Sequence, residues 1–347
     1  MTKQYFCVGT YSEPILFGTG ELFCGKGKGL YLCTFEDGTI KTERLLPVRN
    51  PSFFCINERD RKIYAVNELK EYKGCFGGGL TEISYQTDGD MRILRDGCTC
   101  GSDPCHVVMS PEREFLVVSN FANGSVAVFR LDGEGGIAAK PALFQHAGGS
   151  VHPVRQKGPH AHSAVFSHNS DFLVPDLGLD KLMAYRYENG EVSFDPESTV
   201  PVKPGNGPRF GEFSPDGKLL ERETLSTLPE GCETPNICSD LHITPDGRYL
   251  YASNRGHDTL VCYRVQEDGE LACLSQTPCG GRTPRNFAID PAGNYILVGN
   301  QDTDSIAVFR IGASGALEFV SNTPFPTPVC IRFFYDAAFD CQGPSPM

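Results

Sequence analysis

Three observations predict an all-β fold of the β-propeller class. A strand–turn–strand phrase recurs at a spacing of roughly fifty residues. Its flanking runs are short and rich in β-branched and aromatic residues, the composition of strands. The 38 Gly and 25 Pro punctuate the chain as many tight turns require. A β-sandwich also consists of short strands, but it does not require the same phrase at a near-fixed period.

The first copy runs from Ile56 to Asn67, the second from Met109 to Asn120 and the third from Phe166 to Asp176. Later copies run from Ile243 to Asn254 and from Ile289 to Asn300. Each reads as a strand, a polar turn and a second strand ending in Asn or Asp. In Pro245-Asp246-Gly247 the Pro fixes φ and the Gly accepts a positive φ. A third strand follows, as in Ser125–Arg130 or Ser305–Arg310, then a Gly turn and a fourth. Four antiparallel strands make one blade.

With Asn57, Ser110, Ser167, Ser214, Thr244 and Asp290 as equivalent positions, the spacings are 53, 57, 47, 30 and 46. The short interval follows Phe213-Ser214-Pro215-Asp216-Gly217, which runs straight into Lys218–Glu223 with no second strand. Residues 207–228 are therefore expected to form a truncated fifth blade. Tyr5 to Ile40 supplies the first blade, and Val329–Phe334 is expected to pair back onto it. The expectation is a seven-bladed β-propeller forming one domain over residues 1–347.

A net charge of −12 opposes nucleic-acid binding and an anionic membrane surface, both of which call for a basic footprint. No stretch approaches the ~20 apolar residues of a membrane span, and the start shows no apolar signal core. With 15 cysteines and no export signal, the reading is a cytoplasmic protein with reduced thiols. Trp is absent, which excludes the Trp-Asp propeller repeat. Cys98, Cys100, Cys105 and His106 form one local cluster, but the spacing does not match a zinc knuckle, so no metal and no other cofactor is expected.

In each hairpin the start of the first strand and the end of the second lie at the same end, opposite the Pro-Asp-Gly turns. That end carries a polar list: Glu68, His106, His160, His162, Arg209, Asp240, Arg255, His257 and Arg285. Basic groups gathered locally in an acidic protein suit an anionic ligand, since a guanidinium binds carboxylate or phosphate bidentately. His160 and His162 alternate, so on a strand both rings share a face. Asn120, Asp176 and Asn254 read as turn caps. His146, His152 and His168 read as surface residues.

The chain resembles the propeller lactonase family, which includes propeller-type 6-phosphogluconolactonases and 3-carboxy-cis,cis-muconate lactonizing enzymes. The resemblance lies in Val8-Gly9-Thr10-Tyr11, Asn50-Pro51-Ser52-Phe53, Tyr64–Glu68, Asp103–Val107, Gly158–His162, Val174–Gly178, Gly207–Arg209, Tyr251–Asp258 and Asn300–Ser305, in order along nearly the whole chain. It implies seven blades, lactone chemistry and no required metal. It places the site histidine on Pro159–His162 and the site arginines on Arg209 and Arg255. The glutamate that the family usually carries at the end of the fifth blade's second strand is missing, and Phe210 stands where a histidine is common.

The expected function is hydrolysis of a sugar-acid lactone, 6-phosphogluconolactone first, by a cytoplasmic monomer or weak homo-oligomer. His160 or His162 would be the general base, with Arg209 and Arg255 at the oxyanion or phosphate. Glu68 or Asp240 would orient a histidine, and His106, His257 and Arg285 would complete the substrate site. The alternatives are carboxymuconate cycloisomerisation, or a ligand-binding propeller with impaired catalysis.

Overall fold

The computed structural model describes residues 3–17, 20–167, 170–212 and 225–335. Every regular element among them is a β-strand. The chain divides into two units: residues 1–12, 25–47 and 219–347 in one, 13–24 and 48–218 in the other.

The first unit holds three four-stranded antiparallel sheets. One runs Pro328–Phe333, Gln4–Thr10, Leu30–Glu36, Thr39–Leu46, so the last strand of the chain pairs with the first, as expected. Val8 lies opposite both Ile331 and Tyr31 in this ladder. The second sheet runs Ile237–Ile243, Tyr249–Arg255, Thr259–Val265, Leu271–Pro278, and the third Pro284–Ile289, Tyr295–Asn300, Ser305–Ile311, Leu317–Pro324. The other unit also holds three: Phe54–Asn57, Lys62–Asn67, Gly79–Tyr85, Met91–Cys98; then Pro104–Met109, Phe115–Asn120, Ser125–Arg130, Ala142–Gln145; then Val165–Phe166, Phe172–Asp176, Lys181–Glu188, Glu191–Pro201. Two short hairpins, Pro14–Leu16 with Leu22–Cys24 and Glu71–Tyr72 with Cys75–Phe76, complete it.

Strands such as Phe115–Asn120 and Tyr295–Asn300 are buried along their whole length. Strands buried in this way have both faces covered, so the sequence shows continuous apolar runs there rather than alternation. Phe115, Val117, Phe172, Val174 and Tyr185 pack two adjacent sheets of one unit together. Phe6, Val8, Phe35, Leu297 and Phe333 do the same in the other. The outer strands, such as Thr39–Leu46, are largely exposed. The turn chemistry is as read: Gly247 sits at φ 72° and its N–H closes the turn on the Thr244 carbonyl at 2.8 Å.

Between Pro201 and Ile237 the described residues contain no strand. The Phe213–Gly217 phrase and Lys218–Glu223, on which the truncated-blade expectation rests, lie outside the described residues. Six four-stranded sheets are therefore what the described residues hold.

Candidate functional site

Three first strands carry a β-bulge close to the residues singled out from sequence. Pro104 pairs with Asn120 and His106 with Ser119, leaving Cys105 as the extra residue. Pro284 pairs with Asn300 and Asn286 with Gly299, leaving Arg285. The third shift falls between Cys238 and Leu241 and contains Asp240. A bulge re-aims side chains at a strand end, which is why bulges collect next to functional sites.

In the unit of residues 13–24 and 48–218, the bulge delivers His106 into an aromatic cluster. Its ring lies 4.4 Å from Phe53 and 5.6 Å from Phe210. His162 approaches Phe210 at 5.4 Å and Phe121 at 5.6 Å. His160 stacks on Phe121 at 4.6 Å. Arg209 places its guanidinium 4.7 Å from the centre of the Phe210 ring. Phe210 and Phe121 thus join His106, His160, His162 and Arg209 into one group. His160 and His162 both meet Phe121. They lie ahead of the regular strand, in a stretch tied to its neighbour by His162 N–H to Pro175 O (3.0 Å) and Leu177 N–H to His160 O (3.0 Å).

Hydrogen bonds give two of these rings opposite tautomers. His160 Nδ1 lies 2.9 Å from the Phe121 carbonyl oxygen, which only accepts, so Nδ1 carries the proton and Nε2 presents a lone pair. The His106 Nδ1 accepts the Ala164 N–H at 3.3 Å, so in the neutral ring the proton sits on Nε2. His162 is buried, and the Cys105 thiol donates to its carbonyl oxygen at 3.2 Å. His160 is only half-buried. Glu68 is buried at the end of the Lys62–Asn67 strand, its N–H bonded to Asn50 O at 3.0 Å and its carbonyl held by Asn50 Nδ2 at 3.2 Å.

His146 corrects the surface reading. It is 5% exposed, with Nδ1 2.6 Å from Asp176 Oδ2 and Nε2 2.7 Å from the Tyr185 hydroxyl. Burial pushes the Tyr185 phenol well above its ordinary range. Asp176 caps its turn as expected, its Oδ1 accepting the N–H groups of Gly178 (2.9 Å) and Leu179 (3.1 Å), and it also accepts that of His160 (2.7 Å). Arg155, which sequence reasoning passed over, lies five residues before His160; burial lowers its pKa, with no carboxylate among the described residues offsetting that loss of water.

In the other unit Asp240 is the hub. It is 3% exposed, and its Oδ2 accepts Asn286 Nδ2–H at 2.5 Å, His242 Nε2–H at 3.1 Å and Phe287 N–H at 3.3 Å. The histidine it orients is His242, which was not among the expected site residues. Arg285 stands 5.0 Å from the centre of the Tyr11 ring and reaches Gln301 Oε1 at 3.3 Å. Its carbonyl accepts the Ser239 hydroxyl at 2.5 Å, so Asp240 and Arg285 sit on joined strands. Arg255 donates to Cys238 O at 3.4 Å. His257 is held by the Thr259 hydroxyl (2.8 Å) and Asn236 Oδ1 (3.3 Å). Asn254 reaches beyond its own turn: its Oδ1 accepts the Thr227 hydroxyl (2.7 Å) and Asn236 Nδ2–H (2.8 Å), and its Nδ2 donates to the Thr227 carbonyl oxygen (2.8 Å).

Among the described residues no group of three or more His, Cys, Asp or Glu side chains is arranged to hold a metal ion, and no disulfide joins two cysteines.

A family model described as a seven-bladed β-propeller lactonase matches residues 5–220 and 216–333. The chain is 28% identical over 323 residues to a 6-phosphogluconolactonase of Bacillus subtilis, covering 84% of this chain and 86% of that one. Its fold superposes on a periplasmic gluconolactonase of Pseudomonas aeruginosa with a TM-score of 0.87 at 28% identity, over 96% of this chain and 99% of the other. A putative 6-phosphogluconolactonase of Bacteroides fragilis gives 0.82 at 26% identity, over 96% and 98%.

Proposed function

Because the chain belongs to the seven-bladed β-propeller lactonase family, we propose that it hydrolyses a sugar-acid lactone carrying an anionic group, 6-phosphogluconolactone first. The observation that carries this reading is the tautomer of His160. With Nδ1–H committed to a carbonyl, its Nε2 is free to take a proton from water. Water then attacks the lactone carbonyl, and the developing oxyanion needs a donor. The Nε2–H of His106 and the guanidinium of Arg209 are of the right kind, and the aromatic cluster gathers both with His160. The His160 imidazolium returns its proton to the ring oxygen as the acyl–oxygen bond breaks, which regenerates the base.

Arg155, five residues before His160, is taken as the anchor for the substrate's anion, since a guanidinium binds phosphate bidentately. The expectation of one seven-bladed propeller over 1–347, with its fifth blade truncated over 207–228, is kept as part of this proposal. That accords with six four-stranded sheets and a family of seven-bladed members.

The test is proton release from 6-phosphogluconolactone, measured beside unphosphorylated gluconolactone and a carboxymuconate. Enzyme-dependent hydrolysis favouring the phosphorylated lactone is expected, and His160→Ala should lower kcat by about 10²–10⁴-fold. Arg155→Ala should raise KM for the phosphorylated substrate more than for gluconolactone. Turnover of the muconate alone would replace this reading with cycloisomerisation, and binding without turnover would replace it with a ligand-binding propeller.

A further inference from the structure

We infer that Cys75, Cys98 and Cys100 form an oxidisable three-thiol centre in which Cys98 is the common disulfide partner. The three come from different elements: Cys75 from the Cys75–Phe76 hairpin strand, Cys98 from the end of Met91–Cys98, and Cys100 from the turn after it. The hydrogen bonds of Cys98 place its sulfur beside Phe76, the residue that follows Cys75, and beside Cys100. The Cys98 sulfur is thereby fixed in place, donating to Phe76 O at 3.1 Å and accepting the Cys100 N–H at 3.3 Å. Cys100 sits at φ 57°, which folds its side chain back so that its sulfur lies 3.9 Å from Cys98 O.

Exposure assigns the chemistry. Cys75 and Cys100 are exposed and Cys98 is half-buried. Other cysteines, Cys7, Cys33 and Cys330, also influence one another, but all three are buried beyond the reach of a polar oxidant. Burial holds the Cys98 thiol above its ordinary range, which makes it a poor first nucleophile. The exposed Cys75 thiolate therefore attacks hydrogen peroxide. An S–O bond forms, the O–O bond breaks, and one water leaves after proton transfer. Cys98 then loses its proton and attacks the sulfenic sulfur, forming the S–S bond as the S–O bond breaks and a second water leaves. Two thiols are oxidised and one peroxide is reduced to two waters.

The product would tie the 71–76 hairpin to the end of the neighbouring strand. That hairpin begins three residues after Glu68, and the intervening Lys70 pairs with Asp103. Oxidation would thus fix the segment that follows the buried Glu68. The inference does not depend on the lactonase reading.

The experiment treats the reduced full-length chain with one to a few equivalents of hydrogen peroxide, alkylates the remaining thiols, and maps linked peptides by mass spectrometry without reduction. A Cys75–Cys98 linkage is expected to form first, before the exposed Cys24, Cys238 and Cys273 oxidise. Amide exchange over residues 70–77 should slow about tenfold. Cys75→Ser should leave only a Cys98–Cys100 linkage, and Cys98→Ser should leave none among the three. A Cys75–Cys100 linkage in the Cys98→Ser protein would overturn the inference, as would first oxidation at Cys24, Cys238 or Cys273, or sulfinic acid without any linkage. If Cys98→Ser does not fold, the linkage maps of the parent and of Cys75→Ser decide alone.

Discussion

Asp176 uses its two oxygens differently. Oδ1 gathers the backbone N–H groups of His160, Gly178 and Leu179, while Oδ2 receives the Nδ1–H of His146. The capping half was legible, because Asp followed by Leu-Gly is local turn chemistry. The His146 half was not, because its partners lie 30 and 39 residues away and nothing around Gln145-His146-Ala147 signals burial. The carboxylate is fully buried, so each donor matters. His146→Leu removes one donor to that carboxylate and leaves the Tyr185 hydroxyl without its acceptor. A loss of about 1–3 kcal/mol is expected in urea unfolding. Since Asp176 also accepts from the backbone of His160, the variant should retain more lactonase activity than His160→Ala yet less than the parent. A melt identical to the parent's would show that the network carries no stability.

Within a sheet, the repeated phrase marked the first two strands, of which the second, such as Phe115–Asn120, is buried along its whole length and reads as a continuous apolar run. It did not mark the bulges at Cys105, Arg285 and Asp240, since which residue bulges depends on the register of the partner strand. Nor did it mark Lys62, which follows Asp60-Arg61 and reads as the end of a charged turn. In the structure Lys62 is 8% exposed at the start of its strand, with Nζ 2.7 Å from Glu82 Oε1 on the adjacent strand. The other Glu82 oxygen accepts Ile137 N–H at 3.0 Å and faces Arg95 Nε at 3.1 Å. Removing one partner from a buried pair leaves the other charge uncompensated. Glu82→Gln should therefore cost about 3–5 kcal/mol, and adding Lys62→Met should recover part of it. Equal stability of the single and double variants, measured by denaturant midpoint, would mean that Lys62 finds water when Glu82 is gone.

Across the whole chain, the period of about fifty residues was legible because each sheet is nearly self-contained, and the pairing of the last strand with the first was read from the same logic. What sequence could not show is how many ionisable groups end up buried in their neutral forms. The thiols of Cys33 and Cys279 are pushed from 9.0 up to about 12, and that of Cys262 up to about 11, in each case chiefly by burial. The Cys7 thiol and the phenols of Tyr64, Tyr185 and Tyr251 are raised for the same reason. A group whose folded pKa exceeds its unfolded value binds its proton more firmly when folded. Its contribution is complete below the unfolded pKa and disappears as pH climbs toward the folded one. For the thiols that window opens near 9 and closes between about 11 and 12, with the tyrosines adding to it from about 10 upward. The contributions have one sign, so they accumulate across the molecule. The urea midpoint should be flat from pH 7 to 8.5 and then fall steeply toward pH 10.5, with protons released on unfolding. Cys279→Ala should make the fall shallower, because the thiol at that position no longer ionises on unfolding, even though the smaller side chain lowers the plateau at pH 7. A midpoint that stays level to pH 10.5, or a Cys279→Ala curve parallel to the parent's, would show that these thiols are reached by water in the folded state.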